Sequence, residues 1–207
     1  MKGKELVAFA RSKLGTPYVY GMKGTAMTQA NFNYLQKTYG KKLVWDSDEK
    51  KIGEICVDCS GLISWATGVV LGSAQLFDKA IQKEPISTIK EAPVGALVWM
   101  RGHVGIYTGL KRNVPYYIAA DGSAYGVREV PLSNNKFTHW LLMDYFIYEK
   151  EDDEMITKEK VIVDGQDYTM DAIRKDGYVF VKARDLAQAP GVAVSNKGKI
   201  PVIDIKK

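Results

Sequence analysis

The chain has 207 residues, 46% of them hydrophobic and 26% charged, enough for one ordinary domain with or without a small appendage. No run approaches the roughly 18 apolar residues a membrane span needs, and two cysteines are too few for a disulfide framework. The formal charge of +5 suits an anionic polymer as partner, whether nucleic acid, membrane surface or bacterial wall, and equally suits a solvated lysine-rich surface.

The first fifteen residues, MKGKELVAFARSKLG, read as an amphipathic helix with Leu6, Ala10 and Leu14 on one face and Gly15 and Pro17 to stop it. They lack the apolar core and cleavage site of a secretory signal, so the chain is expected to be made in the cytoplasm. A turn-rich passage, TPYVYGMKG, follows. Phe32, Leu35 and Tyr39 then recur at helical spacing over 28–39 before Gly40. Residues 41–54 are charged and patternless and read as a surface loop. From Ser60, Leu62, Ala66 and Val69 mark another helix, which puts Cys59 at or just before its N-terminus.

Beyond Pro93 the pattern turns to short apolar runs at 96–100, 104–108, 116–120, 127–132 and 140–148, the signature of an antiparallel sheet. Helices first and a meander after give an α+β fold. Residues 149–160 are almost wholly polar and mark a boundary, which divides the chain into a domain at 1–150, a linker at 151–160 and a module at 161–207. In the module two Asp-Gly pairs sit between apolar alternations, residues 184–188 can make one or two helical turns, and a third hairpin closes around 196–198. The module is a small β-rich unit.

Both cysteines lie in EICVDCSGLI, three residues apart, and three uses compete. A redox pair needs both sulfurs at one helix start after a strand of a parallel βαβ unit, and no such pattern surrounds them. A zinc site needs two more ligands, and the chain offers only His103 and His139, which are not closely paired. A single nucleophile needs a thiol at a helix start, where free amides and the helix dipole favour a thiolate, and Cys59 meets that condition. The dipole supplies only about 0.3–1 kcal/mol, so a cationic partner must add the rest. His103 in GHVGIY is the candidate, although a lone strand histidine is more often a satisfied core or surface residue.

TPYVYG (16–21), DCSGLISWA (58–66), GALVWM (95–100) and GHVGIYTG (102–109) together resemble the NlpC/P60 cysteine peptidases of bacterial cell walls, over about residues 1–148. The long loop before the cysteine and the ending FTHWLLMDYFIY look most like the phage and prophage branch in clostridia and their relatives. The resemblance implies a papain-like fold and hydrolysis of a stem-peptide amide, commonly between γ-D-glutamyl and the diamino acid. It implies Cys59 as nucleophile, His103 as base and Tyr18 beside the nucleophile. Asp58 and Ser60 match positions that in some members bind a free stem-peptide amine, and Trp140 is expected to contact substrate. No cofactor and no metal are expected. The partner expected is peptidoglycan rather than nucleic acid, reached by a holin or another route of release.

The family's third polar residue, which orients the histidine, falls on Ala119. Asp121 is two residues further and shares a face with 119 if the strand continues, while His139 is a weaker substitute. Cys56 is then a bystander, either a small buried hydrophobe or a partner that closes on Cys59 under oxidation. The C-terminal module is similar to the small stalk domain of copper amine oxidases. Having no histidine or cysteine, it implies no copper; attachment to the wall or pairing of two chains as a homodimer is its expected use. Ala119 and the stalk also admit a catalytically weak wall-binding protein, and related folds admit a Cys/His acyltransferase.

Overall fold

Alternation along the strands decides the layers. Val104 and Ile106 on one face of a strand and Tyr107 on the other are all buried, so the sheet they belong to must be covered on both sides. The computed structural model describes residues 1–148, 157–163, 165–175, 178–197 and 200–205. The chain divides into two units, Met1–Lys150 and Glu151–Lys207.

In the first unit the order is α1 (Gly3–Ser12), β1 (Lys23–Ala26), α2 (Gln29–Tyr39), β2 (Ile55–Val57), α3 (Cys59–Thr67), α4 (Ser73–Lys79), β3 (Gln82–Pro85), β4 (Leu97–Met100), β5 (His103–Lys111), β6 (Val114–Ala120), β7 (Val127–Pro131) and β8 (His139–Leu142). Six strands form one antiparallel sheet in the order β3-β8-β4-β5-β6-β7, and β1 pairs with β2 in a separate ribbon. This is the α+β arrangement expected from helices followed by a meander. Leu6, Val7 and Ala10 of α1 and Leu62 and Ile63 of α3 pack with Val104, Ile106 and Ile118 of the sheet. On the reverse face Val98, Tyr107, Tyr117, Ala119, Phe137 and Trp140 form a second cluster with Ile89. A third, of Val19, Met22, Met27, Phe32, Leu35, Val44 and Cys56, lies with α2 and the ribbon.

Several local expectations change. The first helix closes at Ser12, so Leu14 lies beyond it and is 47% exposed, and Val7 takes its place in the core. Helix α3 stops at Thr67 because Gly68 adopts a left-handed φ of 74°, which leaves Val69 outside the periodic face and exposed. The loop 41–54 is more than surface: a 3₁₀ turn, Asp46–Lys51, buries Asp48 completely, and Val44 is core. A strand, β2, rather than a loop, leads into Cys59. Strand β8 ends at Leu142, and within the described residues 143–148 that follow it Ile147 makes an isolated bridge to Lys2.

In the second unit β9 (Thr157–Val163), β10 (Gln166–Lys175) and β11 (Tyr178–Val181) form a sheet in the order β11-β10-β9. A 3₁₀ turn follows at Ala183–Gln188, and β12 (Val192–Lys197) pairs with β13 (Ile200–Ile205). Strand β9 begins inside the stretch expected to be linker, and residues 149–156 lie outside the described residues. So do Asp164 and the hairpin tips 176–177 and 198–199, where turn signals were expected; the flanking registers pair Val163 with Gln166, Lys175 with Tyr178 and Lys197 with Ile200. Among the described residues no helix is long and apolar enough to cross a membrane.

Candidate active site

Strand β2 carries the chain to Asp58, which caps α3 and makes Cys59 its first residue. The Asp58 side chain accepts from the Gly61 amide of its own helix and from the Gly21 amide of the preceding loop, 2.9 Å away. Gly61 is needed there because a Cβ would collide with the Met22 carbonyl, so glycine lets the first turn of α3 press on the loop leading into β1. Cys59 is a free thiol, 7% exposed, among the first-turn amides of the helix.

His103 is the first residue of β5, and its Nε2 lies 3.0 Å from Asp121 Oδ1. Cys59 lies close enough to the same ring to act on its charge. Burial works against the charged imidazole. The hydrogen bond to Asp121, the interaction with Cys59 and the charges of both outweigh it and lift the His103 pKa to about 9. The ring stacks on Phe137, with an interplanar angle of 14°.

Asp121 follows the last residue of β6, and its carboxylate is 1% exposed. Its second oxygen accepts from the Tyr117 hydroxyl at 2.8 Å and from Arg128 Nε at 2.7 Å. Burial alone would push its pKa up, but the bonds from His103, Arg128 and Tyr117 hold it below the usual carboxylate range. Gly105, the second glycine of GHVGIY, makes room for this: a Cβ there would stand 2.8 Å from the Tyr117 ring. Ala119 is wholly buried in the reverse-face cluster, and the carboxylate bonded to the histidine comes from Asp121. His139 instead is bonded to Thr138 and packs against Phe77 and Trp99.

Tyr18 is fixed by a bridge to Val57, two residues before Cys59. Burial, then the charges of Cys59 and Asp58, push its phenol pKa up, so it remains a neutral donor. Asp58 and Ser60 are already engaged. Lys23 of β1 places its ammonium 2.9 and 2.8 Å from the two Asp58 oxygens and 2.9 Å from Ser60 Oγ. An ammonium of the chain itself thus occupies what the sequence suggested as a place for a substrate amine. Trp140 must be corrected as a substrate contact: it is 4% exposed and its indole N–H donates to Thr88, which makes it a core residue. Cys56 is buried, with its thiol pushed up to about 11, chiefly by burial, and lies in the α2 cluster rather than with Cys59.

Sequence reasoning missed Lys23, Tyr117, Arg128 and the buried pair Asp48–Lys51. Tyr117 had a signal, since 117, 119 and 121 share parity along one strand. Among the described residues no group of three or more His, Cys, Asp or Glu side chains is placed to hold a metal ion.

No family model matches the chain, and no curated protein does. Among solved structures it is similar to the P60 domain of an antigen from M. avium subspecies paratuberculosis, at 23% identity over 68% of this chain and 96% of that one, with a TM-score of 0.45. It is similar also to the NlpC/p60 domain of the peptidoglycan hydrolase SagA, at 22% identity over 69% and 100%, with a TM-score of 0.44.

Proposed function

We propose that the chain is a cysteine peptidase of NlpC/P60 type that hydrolyses an amide of the peptidoglycan stem peptide, the γ-D-glutamyl to diamino acid bond being the one the sequence resemblance favours. The observation that carries the reading is His103 bonded to a buried carboxylate, Asp121, with the helix-start thiol of Cys59 acting on the same ring. A nucleophile, a base and an orienter in that order are the parts acyl transfer by a thiol requires.

With its pKa lifted to about 9, His103 keeps its proton through neutral pH, and the attacking form of Cys59 is its thiolate. The sulfur attacks the carbonyl carbon, and the imidazolium gives its proton to the amine as the C–N bond breaks. Water then attacks the thioester, His103 takes the proton, and the thiolate leaves. The Cys59 amide at the start of α3 and the neutral Tyr18 hydroxyl are the donors for the developing oxyanion. Because Lys23 already neutralises Asp58, the substrate passes this point without offering an ammonium of its own. The sequence resemblance to the phage and prophage branch adds an endolysin role, with cytoplasmic synthesis and release to the wall.

Digestion of purified muropeptides followed by mass spectrometry tests the reading. New amine and carboxyl termini within the stem peptide, lost in Cys59→Ala, support it. Intact stem peptides with the protein still sedimenting on walls would make it a binder, and an acylated product would make it a transferase.

A further inference from the structure

Asp48 has no exposed surface, and a carboxylate so placed is costly unless it is paired. Its partner is Lys51, one turn on, at 2.7 Å. Neutralising Asp48 needs one N–H of that ammonium. The others reach out of the loop: Lys51 Nζ donates to the Tyr18 carbonyl at 2.7 Å and to the Ser123 carbonyl at 3.0 Å. Asp48 in turn accepts from the Trp45 amide at 2.8 Å and from the Ser123 hydroxyl at 3.2 Å. Three donors meet three acceptors from three segments, far apart in sequence.

Each of the two outer segments leads directly to the site. Tyr18 is bridged to Val57, two residues from Cys59. Ser123 lies two residues beyond Asp121, in a turn closed by the Asp121 amide on the Gly126 carbonyl and by the Gly126 amide on the Gly122 carbonyl, so a shift at Ser123 is passed to Asp121. We propose that Lys51, held by buried Asp48, is a positioning residue: it ties the nucleophile's side of the site, through Tyr18, to the histidine-orienting side, through Ser123. The loop 41–54 is then part of the active-site frame. The inference rests on the peptidase reading, since it is the Cys59–His103–Asp121 alignment that the tie would set.

The rival is a buried ion pair that only stabilises the fold. Two variants separate them. Lys51→Met keeps the side-chain length but strands the Asp48 charge, so it is expected to melt earlier. Asp48→Asn combined with Lys51→Met removes both charges together and is expected to melt close to the parent. Muropeptide kinetics and iodoacetamide alkylation of Cys59 across pH are measured at a temperature where circular dichroism shows each variant folded. The double variant is expected to lose on the order of tenfold to a hundredfold in kcat, with KM little changed, because small misplacements of reacting groups cost that much. Its alkylation profile is expected to shift along the pH axis, which a role in stability alone would not do. A folded double variant with the parent's kcat and alkylation profile overturns the proposal, as does a loss confined to KM. Alkylation needs no substrate, so a parent with reactive Cys59 that cleaves no muropeptide counts against the substrate reading and leaves the alkylation profile to decide on Lys51. A parent with inert Cys59 overturns both.

Discussion

Asp121 spends both carboxylate oxygens inside the site, one on His103 and one shared by Tyr117 and Arg128. An anion beside the imidazole favours the cation, so it contributes to the His103 pKa of about 9. Asp121→Asn keeps the shape and removes the charge. The imidazolium then loses its proton at lower pH, and the alkaline limb of the rate profile is expected to move down by about one pH unit or more. The rate should fall, though by less than the roughly 10⁴-fold seen when a serine triad loses its carboxylate, since a thiol is a better nucleophile at neutral pH than a serine hydroxyl. An alkaline limb that stays in place would remove Asp121 from the mechanism. Lys23 carries a second test. Lys23→Met leaves Asp58 buried without its cation and should cost on the order of 1–3 kcal/mol in a thermal or urea melt. The parent, in turn, should cleave stem peptides with a free and with an acetylated terminal amine at comparable rates. A strong preference for the free amine would mean that substrate competes with Lys23 for Asp58.

At the scale of elements, the motif GHVGIY becomes a packing statement. Gly105 faces the Tyr117 ring, and the Tyr117 hydroxyl holds Asp121. Gly105→Ala is expected to overpack this contact, destabilise by about 1–3 kcal/mol and reduce activity through the displaced tyrosine; a variant with unchanged melting and full activity would deny the coupling. How much of this could be read in advance follows from the range of each interaction. Strands β4 to β7 were legible because short apolar runs rich in Val, Ile, Tyr and Trp, set apart by glycine, mark a strand within four to nine residues. Asp121 was legible as a same-face neighbour of Ala119. Helix α4, with seven residues, and β1 and β2, with four and three, are too short to show a period. Trp140 was misassigned because alternation says that Trp140 and Leu141 face opposite ways but not which face holds the site. The Lys51 contacts could not be read at all: they join residues 33 and 72 positions apart, and the loop around them has no pattern.

For the whole molecule, the division of labour between the two units makes the last prediction. Among the described residues the three hydrophobic clusters, and every side chain placed at the site, come from the unit Met1–Lys150. The second unit has its own paired strands, its own buried Met170, Ala172 and Ala189, and cross-strand ion pairs from Lys158 to Asp171 and Lys160 to Asp167. A chain ending after residue 150 therefore keeps its core and its chemistry, and is expected to fold and to cleave soluble muropeptides at close to the parent's rate. The proposed use of the module, wall attachment or pairing with a second chain, should show elsewhere. If it attaches, the truncated chain loses sedimentation with intact walls and clears them more slowly while its rate on soluble fragments holds. If it pairs chains, light scattering gives twice the chain mass for the parent and a single chain mass after truncation. Equal performance of both chains on whole walls, with both monomeric, would leave the module neither role. Loss of activity on soluble fragments by a folded truncated chain would mean instead that the second unit takes part in the chemistry.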